Sequence, residues 1–250
     1  MSLRAHPLAG LPEIGRGDGL ADLIVQAAGA DLGAGAVLAV AHKVVSKAEG
    51  RVVDIADVTP GARARELAAA HDKDPRHVQV VLDETAQLLR AKRGVLICRT
   101  HHGLVCANAG VDTSNAGGPG RVVLLPTDPD ASARALRARI RDLTGAAPAV
   151  LITDSFGRAW RHGQSEVAIG CAGMAPLDDW RGRVDADGTR LRATWIAVAD
   201  QAAAAADLAR GGKDAGAPVA VVHGLERFVT ADDGPGARAA IRPADEDLFA

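Results

Sequence analysis

Short runs of β-branched residues alternate with longer segments rich in Ala, Leu and Arg along the chain. The short runs predict strands, and the longer segments predict helices where apolar residues follow helical spacing or start and stop residues flank them. The predicted strands are Val37–Val45, Arg51–Ile55, Val95–Arg99, Leu104–Cys106, Arg121–Leu125, Ala149–Thr153 and Pro218–Val222. The predicted helices are Ala62–Ala70, Val78–Lys92, Pro129–Leu143 and Trp195–Leu208. This order lacks the strict alternation of a doubly wound sheet, so we predict an α+β fold with mixed sheets and helices.

Residues 156–194 are rich in Gly, Arg and Asp and show little periodicity. A segment of that length without a clear helix or strand pattern is more often a functional loop region than a linker. We therefore expect a substrate-binding insertion at 156–194, within a chain whose residues 1–250 work as a single functional unit.

Composition excludes several classes of function. Of the 250 residues, 48% are hydrophobic, which is enough for a substantial core. The net charge of −2 provides no basic field for nucleic acid or anionic lipid, and aromatic residues at 2% provide few stacking platforms. The apolar runs are too short to span a bilayer, and the N-terminus lacks an apolar stretch of signal-peptide length. We expect a cytoplasmic protein without nucleic-acid or membrane partners.

Three cysteines with no C-x-x-C pair make a disulfide framework unlikely. A hairpin centred on His102 would place Cys98 opposite Cys106, with His101 at the same tip, so a zinc site is conceivable. Structural zinc sites usually bring two paired ligand motifs, and none is present. Buried, reduced thiols are the better interpretation.

Two aspartates at the ends of predicted strands are the most informative polar residues. Asp112 follows the apolar run 104–111, and Asp154 follows Ala149–Thr153; each precedes a hydroxyl residue, Thr113 or Ser155. Ligand sites in open sheets gather beyond strand ends, and carboxylate and hydroxyl oxygens suit Mg²⁺ or Mn²⁺. A lone Asp-Ser or Asp-Thr is more often a turn or helix cap, and this alternative stays open for each of them.

Several cationic residues and glycines could bind phosphate. Lys43 and Lys47 lie close to a strand end, and 210–213 (Arg-Gly-Gly-Lys) follows the Ala-rich segment. Arg158 and Arg161 flank Trp160 and could clamp an anionic substrate, although a solvated loop would have the same composition. The P-loop and Rossmann fingerprints and the nucleophile motifs are missing. The residues alone therefore point to a metal-dependent enzyme acting on phosphorylated, anionic substrates.

Eight segments together resemble the coenzyme F420-0:L-glutamate ligase (F420 gamma-glutamyl ligase) family. They are LPEIGRGD, KVVSKAEGR, DETAQLLR, HHGLVCANAGVDTSN, LITDSFGRAWRHGQSEVAIGCAG, PLDDWRGRVDADG, VADQAAAAADL and APVAVVHGLE. They occur in the family's order and span nearly the whole chain, up to the RPADEDLF tail.

The resemblance implies the family-specific gamma-glutamyl ligase fold, distinct from P-loop, Rossmann and ATP-grasp folds, and a homodimer. It implies that GTP activates the carboxylate of F420-0, or of a dehydro precursor, as an acyl phosphate that the amine of L-glutamate attacks. Mg²⁺ or Mn²⁺, two ions per site, would assist, with potassium as an additional candidate. The implied metal ligands are Asp112, Asp154 and Ser155, and the implied catalytic residues are Asp112, Asp154 and Lys47. The implied nucleotide contacts are Leu11, Pro12, Glu13, Ile14, His42, Lys47, Asn115, Gly211, Gly212 and Lys213. Our own assignment of Arg158 and Arg161 to substrate carboxylates or phosphodiester is a hypothesis from charge alone.

The chain departs from the family pattern at three positions. His42 stands where a serine or threonine is usual, Gln201 replaces a carboxylate, and Lys213 lies near a position that can supply a ligand to the second metal. Two alternatives therefore stay open: a metal-dependent nucleotide phosphohydrolase, and a catalytically decayed partner subunit. Because the sequence ends at Ala250, directly after the tail, we expect a stand-alone ligase without the flavin-dependent reductase domain that some members carry.

Overall fold

The computed structural model describes residues 2–247, so Leu248, Phe249 and Ala250 of the C-terminal tail lie outside the described residues. The α-helices are α1 (Leu20–Ala28), α2 (His42–Ala48), α3 (Ala62–His71), α4 (Pro75–Asp83), α5 (Pro129–Thr144) and α6 (Val198–Arg210). The strands are β1 (Arg4–Pro7), β2 (Val37–Ala41), β3 (Val52–Asp54), β4 (Thr85–Lys92), β5 (Val95–Thr100), β6 (Val105–Ala107), β7 (Arg121–Val123), β8 (Ala149–Arg158), β9 (Arg161–Ala172), β10 (Asp178–Asp179), β11 (Trp195–Ile196) and β12 (Val219–His223). The α+β prediction is confirmed.

A five-stranded mixed sheet in the order β1-β12-β2-β8-β9 forms the centre of the molecule. Only β2 and β8 run parallel to each other; the other neighbours are antiparallel. Side chains alternate between the two faces. Leu38 and Val40 pack into a core shared with α1, α2 and α5, while Val37 and Ala39 pack into a second core against the alanine-rich face of α6.

A third core lies beside this sheet and joins two smaller sheets to α3 and α4. The small sheets are β3-β7 and β4-β5-β6. Their buried residues include Val122 and Cys98, which pack with Leu67 of α3 and Val81 of α4. This region supplies the loop that carries Asp112, whose backbone bridges to Val123.

Most predicted elements are present, but four predictions were wrong. The strand predicted over Val37–Val45 ends at Ala41, and α2 begins at His42. The helix predicted over Val78–Lys92 ends at Asp83, because the residues after Glu84 pair with β5 as β4. The helix predicted from Trp195 begins at Val198.

The fourth correction concerns 156–194, which is not irregular throughout. Its first part is a long hairpin of β8 and β9, paired from Val150↔Ala172 to Arg158↔Arg161. Among the residues that the structure describes, β8 pairs beyond Thr153 with β9 alone, so the hairpin projects from the sheet as two strands. Across 2–247, no helix combines the length and apolar character needed to cross a bilayer.

Candidate active site

A cleft of about 900 Å³ opens where the parallel strands β2 and β8 end. Ala41 is in register with Thr153, so His42 and Asp154 leave the sheet side by side, at the edge where open sheets bind ligands. The cleft is lined by nearly every predicted site residue: Leu11, Pro12, Glu13, Ile14, His42, Lys47, Asp112, Asn115, Asp154, Ser155, Gly211, Gly212 and Lys213. The fold thus brings residues from both ends of the chain, from Leu11 to Lys213, together in one cleft.

The start of α2 presents His42 to the cleft. The imidazole is only 1% exposed, and its Nε2 lies 3.4 Å from Oδ1 of Asp154. Its Nδ1 lies 3.5 Å from the Ser46 hydroxyl, one helical turn later. The departure at His42 therefore places a buried ring beside a predicted metal ligand. This orientation follows from the early end of β2, which strand alternation could not predict.

Two lysines of α2 also reach the cleft. Lys43 Nζ lies 2.8 Å from Oδ2 of Asp112 and donates to the Ser114 hydroxyl at 2.6 Å. Lys47 lies one turn further along α2, and its side chain is only 10% exposed. It pairs with Glu13, whose side chain is 79% exposed. A buried ammonium held by an exposed, movable carboxylate is well placed to exchange that partner for a phosphate.

Asp112 is held in one orientation by its neighbours. Its Oδ1 accepts a hydrogen bond from the Ser114 N–H at 2.7 Å, and Lys213 Nζ lies 4.0 Å from its Oδ2. Burial raises the pKa of this carboxyl, but the hydrogen bonds from Lys43 and Ser114 outweigh burial and bring its pKa down to about 2. Asn115, in the left-handed region at φ 54°, donates to the Lys213 carbonyl at 3.2 Å, so the Asp112 loop and the 211–218 segment contact each other.

The β8–β9 hairpin adds Glu166, and α6 adds Arg210 beside it; the sequence interpretation assigned neither residue to the metal site. Ser155 is in register with Glu166 and donates to its Oε1 at 2.6 Å. Arg210, at the end of α6, lies 3.0 Å from Oε2 of Glu166, and both side chains are less than 10% exposed. The Arg210 guanidinium also contacts Thr153 Oγ1 at 3.4 Å. The register of the hairpin was the signal that could have identified Glu166, had the strands been recognised.

Arg158 and Arg161 are not among the residues that line the cleft. Both are exposed at the tip of the hairpin, where Arg158 donates to the His162 carbonyl. Phe156, Gly157 and Gln164 of the same hairpin do line the cleft. The tip therefore continues outward from the cleft wall, and a substrate role for the two arginines stays a prediction.

Gln201 is exposed on α6 and is not part of the cleft lining, so this replacement leaves the donor set of the cleft unchanged.

The residues of the zinc candidate lie on the β5–β6 hairpin. Cys98 and Cys106 face each other across β5–β6, as predicted. His101 and His102 are hydrogen-bonded to the carbonyls of Asp83 and Pro126. Burial raises the pKa of the Cys106 thiol to about 12, which disfavours the thiolate that zinc binds.

The donor set in the cleft fits Mg²⁺ or Mn²⁺. Asp154, Ser155 and Glu166 offer carboxylate and hydroxyl oxygens at neighbouring positions of one hairpin. Oε2 of Glu166 is buried and has no aligned hydrogen bond. Asp112 adds a carboxylate on the opposite wall, which a divalent ion would share with Lys43.

Comparison with known proteins shows the family of the chain. The sequence profile of the family described as F420-0:Gamma-glutamyl ligase matches residues 10–224. Coenzyme F420:L-glutamate ligase of Methanopyrus kandleri is 44% identical over 249 residues, which are 99% of this chain and 98% of that protein. The proteins of the same name from Methanothermobacter thermautotrophicus and Halobacterium salinarum are 38% and 43% identical, over 100% and 96% of this chain and 99% and 97% of their own lengths. The resemblance inferred from the motifs is confirmed, and the chain belongs to the F420-0:gamma-glutamyl ligase family.

Proposed function

We propose that this chain is a GTP-dependent ligase that joins L-glutamate to F420-0, or to a dehydro precursor, in coenzyme F420 biosynthesis. The observation that carries the proposal is one cleft in which oxygen donors on Asp112, Asp154 and Ser155 meet the ammonium groups of Lys43, Lys47 and Lys213. This combination suits a phosphorylated nucleotide with bound divalent ions. The names of the relatives support ligation of L-glutamate, and the description of the family supports F420-0 as the acceptor.

Amide formation from a carboxylate needs a leaving group on the acyl carbon. In the proposed first step, a carboxylate oxygen of the acceptor bonds to the γ-phosphorus of GTP, the bridging P–O bond breaks, and GDP leaves with the electron pair. In the second step, the amine of glutamate bonds to the acyl carbon, inorganic phosphate leaves with the C–O electron pair, and the nitrogen loses its extra proton. Neither step needs a protein nucleophile, which agrees with the missing nucleophile motifs.

The residues of the chain would act through position and charge. Lys47 and Lys43 would contact phosphate oxygens, with Glu13 and Asp112 as their partners before the nucleotide arrives. His42 would hold Asp154 in place through its Nε2. Backbone amides at Gly211 and Gly212 can approach a phosphate closely because those positions carry no Cβ.

Divalent ions would be held by Asp112, Asp154 and Ser155, with Glu166 behind Ser155. When bound, such ions supply Lewis acidity and offset the negative charge of the transferring phosphoryl group. Two ions per site, and potassium, remain part of the proposal. The hairpin and the segment up to residue 194 would extend the cleft wall toward the acceptor, with Arg158 and Arg161 meeting its anionic groups.

One assay separates the ligase from the two alternatives. Purified protein is incubated with GTP, Mn²⁺ and F420-0, with and without L-glutamate. GDP release is measured, and the masses of the products are determined by mass spectrometry. A ligase releases GDP only with glutamate, and the acceptor gains the mass of one or more glutamyl units. GDP release at the same rate with and without glutamate would support the phosphohydrolase, and no GDP release under either condition would support the decayed subunit.

We also propose a homodimer that acts in the cytoplasm. Light scattering of the purified protein measures its mass directly against the 25.6 kDa of one chain. A mass of one chain at micromolar concentration would contradict the dimer.

A further inference from the structure

We propose that His6, Asp31 and His223 form a second divalent-metal site of the zinc type, on the opposite flank of the sheet from β8 and β9. Within 2–247, these three residues form the one cluster of at least three His, Cys, Asp or Glu side chains that could hold a metal ion. Their ligand atoms all lie within 4.8 Å of one another. None of the three lines the catalytic cleft. The site is independent of the proposed function.

The central sheet brings the two histidines together. His6 lies on the edge strand β1, and His223 ends β12, its antiparallel neighbour. Arg4 is opposite His223 and His6 is opposite Val221, so both histidines occupy the same face as diagonal neighbours. Their rings stack with centroids 5.7 Å apart and planes 9° from parallel. Asp31 reaches the same face from the short turn that follows α1.

The atoms that would bind the metal already converge. His6 Nε2 lies 2.8 Å from Oδ2 of Asp31, and His223 Nε2 lies 3.7 Å from its Oδ1. In a tetrahedral zinc site, metal–ligand bonds of about 2.1 Å separate neighbouring ligand atoms by roughly 3.4 Å. The observed distances bracket that value. Because an imidazole nitrogen binds a metal in the plane of its ring, one of the two stacked rings would rotate out of the stack to complete the site. His223 Nε2 is itself buried without a hydrogen-bond partner, as a nitrogen aimed at a metal position would be.

The donor set selects the class of metal. Two imidazoles and one carboxylate are ligands of Zn²⁺ and similar transition metals, whereas the oxygen donors of the catalytic cleft suit Mg²⁺ and Mn²⁺. A fourth position would be left to water. Arg4 brings a competing positive charge, with its guanidinium 3.9 Å from Asp31, but its side chain is 66% exposed and can turn into solvent.

A metal here would act as a clamp on the edge of the sheet. It would tie the four-residue β1 and the end of α1 to β12. From β1 the chain continues to the cleft residues 11–14, and the cleft segment 211–218 leads into β12. Bound metal would therefore raise the free energy of unfolding, because a ligand that binds only the folded chain stabilises the folded state.

The test is zinc titration of metal-stripped protein by calorimetry, in excess Mg²⁺ so that the oxygen donors of the cleft are saturated. Variants His6→Gln and His223→Gln remove one ligand each with little change in volume. His162→Gln, on the exposed hairpin, and Asp154→Asn, in the cleft, are matched controls. We expect one zinc site in the parent chain and both controls, and at least a tenfold weaker affinity in H6Q and H223Q. Unchanged zinc affinity in those two variants would overturn the site.

A second measurement uses the parent chain alone, so it does not depend on whether the variants fold. Diethyl pyrocarbonate modifies accessible imidazoles, and peptide mass spectrometry reports each histidine separately. Stoichiometric zinc should protect His6 and His223 while His162 is modified at the same rate as before. If zinc leaves the modification rates of His6 and His223 unchanged, as it should for His162, the proposal is overturned.

Discussion

Asp112 and Lys43 show how the chain's own charges prepare the cleft at the scale of single residues. The 2.8 Å contact keeps the carboxylate ionised over the whole neutral range and holds the ammonium in place beside it. A divalent ion or a phosphate entering the cleft thus meets groups already in their charged forms. Lys47 and Glu13 form a second such contact in the cleft.

Replacing either aspartate tests the metal assignment. Asp112→Asn and Asp154→Asn each remove one negative charge from the donor set and retain the size of the side chain. We expect each to lower glutamate addition by roughly a thousandfold, equivalent to several kcal/mol of transition-state stabilisation, while circular dichroism shows a folded chain. Near-normal turnover of either variant at saturating Mn²⁺ would contradict the assignment.

Stability against pH tests the state of Asp112 separately from catalysis. Its pKa is about 2 in the folded chain against 3.8 for the ordinary group, so ionisation stabilises the fold above about pH 4. That contribution is lost as pH falls from about 4 to 2, and a shift of this size is worth about 2 kcal/mol. Urea unfolding of the parent chain and of Asp112→Asn, both without divalent ions, measures it. The difference between their free energies of unfolding should shrink over that interval; a constant difference would contradict the shift.

Lys47→Ala addresses the nucleotide. A charge-assisted contact to phosphate contributes about 1.5–3 kcal/mol, so the GTP requirement should rise roughly ten- to a hundredfold. The glutamate requirement should change little, because glutamate needs no contact with this ammonium. Initial rates against each substrate give both numbers, and an unchanged GTP requirement would mean that Lys47 pairs only with Glu13.

At the scale of elements, the β8–β9 hairpin is the part of the site that the sequence did not predict. Residues 154–166 are mostly polar with single glycines, so apolar periodicity gives no strand signal past Thr153; the pairing there depends on backbone hydrogen bonds between β8 and the adjacent strand β9. Similarly, Leu88 and Leu89 fit a helical stripe with Val81, but in the structure they belong to β4, where Leu88 pairs with Cys98 of β5. The cleft position of Asp154 was predictable because it follows a strand end, whereas Asp112 and Lys47 were placed mainly by the resemblance of their segments to the family. Glu166 was not predictable, since only the hairpin register brings it to Ser155.

The buried Glu166–Arg210 pair should hold the hairpin on α6. Removing one member leaves the other charge buried and unpaired, which costs about 3–5 kcal/mol. We therefore expect Glu166→Gln to lower the melting temperature clearly and to lower ligase activity, because Ser155 loses a carboxylate acceptor. Calorimetric melting measures the first effect.

The matched control lies on the same hairpin. Arg158→Ala combined with Arg161→Ala changes two exposed side chains at the tip and should leave the melting temperature within a degree or two. If these arginines meet the acceptor, the F420-0 requirement alone should rise. Equal melting of Glu166→Gln and the parent chain would show that the buried pair does not hold the hairpin.

At the scale of the whole molecule, five segments supply most of the cleft lining, namely 11–14, 41–47, 106–118, 153–157 and 211–218, and a few residues of α4, β9 and α6 complete it. They come from the central sheet, from the β4–β7 region and from the loop after α6. The three cores hold the elements that carry these segments, whereas the segments themselves are connected mainly by polar contacts such as Asn115 to the Lys213 carbonyl. A nucleotide that contacts several of these segments would therefore stabilise the packing of the three cores against one another as well as each segment itself.

GTP with Mg²⁺ should accordingly raise the melting temperature. Ligand at a hundred times its dissociation constant stabilises a folded chain by about 2.7 kcal/mol, or roughly 5–10 °C for a chain of this size. Hydrogen exchange should show new protection in all five cleft segments and none at the turn of Asp31, which lies outside the cleft. GTP without a divalent ion should give a smaller shift, because the carboxylates of Asp112 and Asp154 then repel the phosphates. Protection confined to one or two segments would mean that the nucleotide does not bridge the cleft, and that the lysines of α2 and the 211–218 segment serve different ligands.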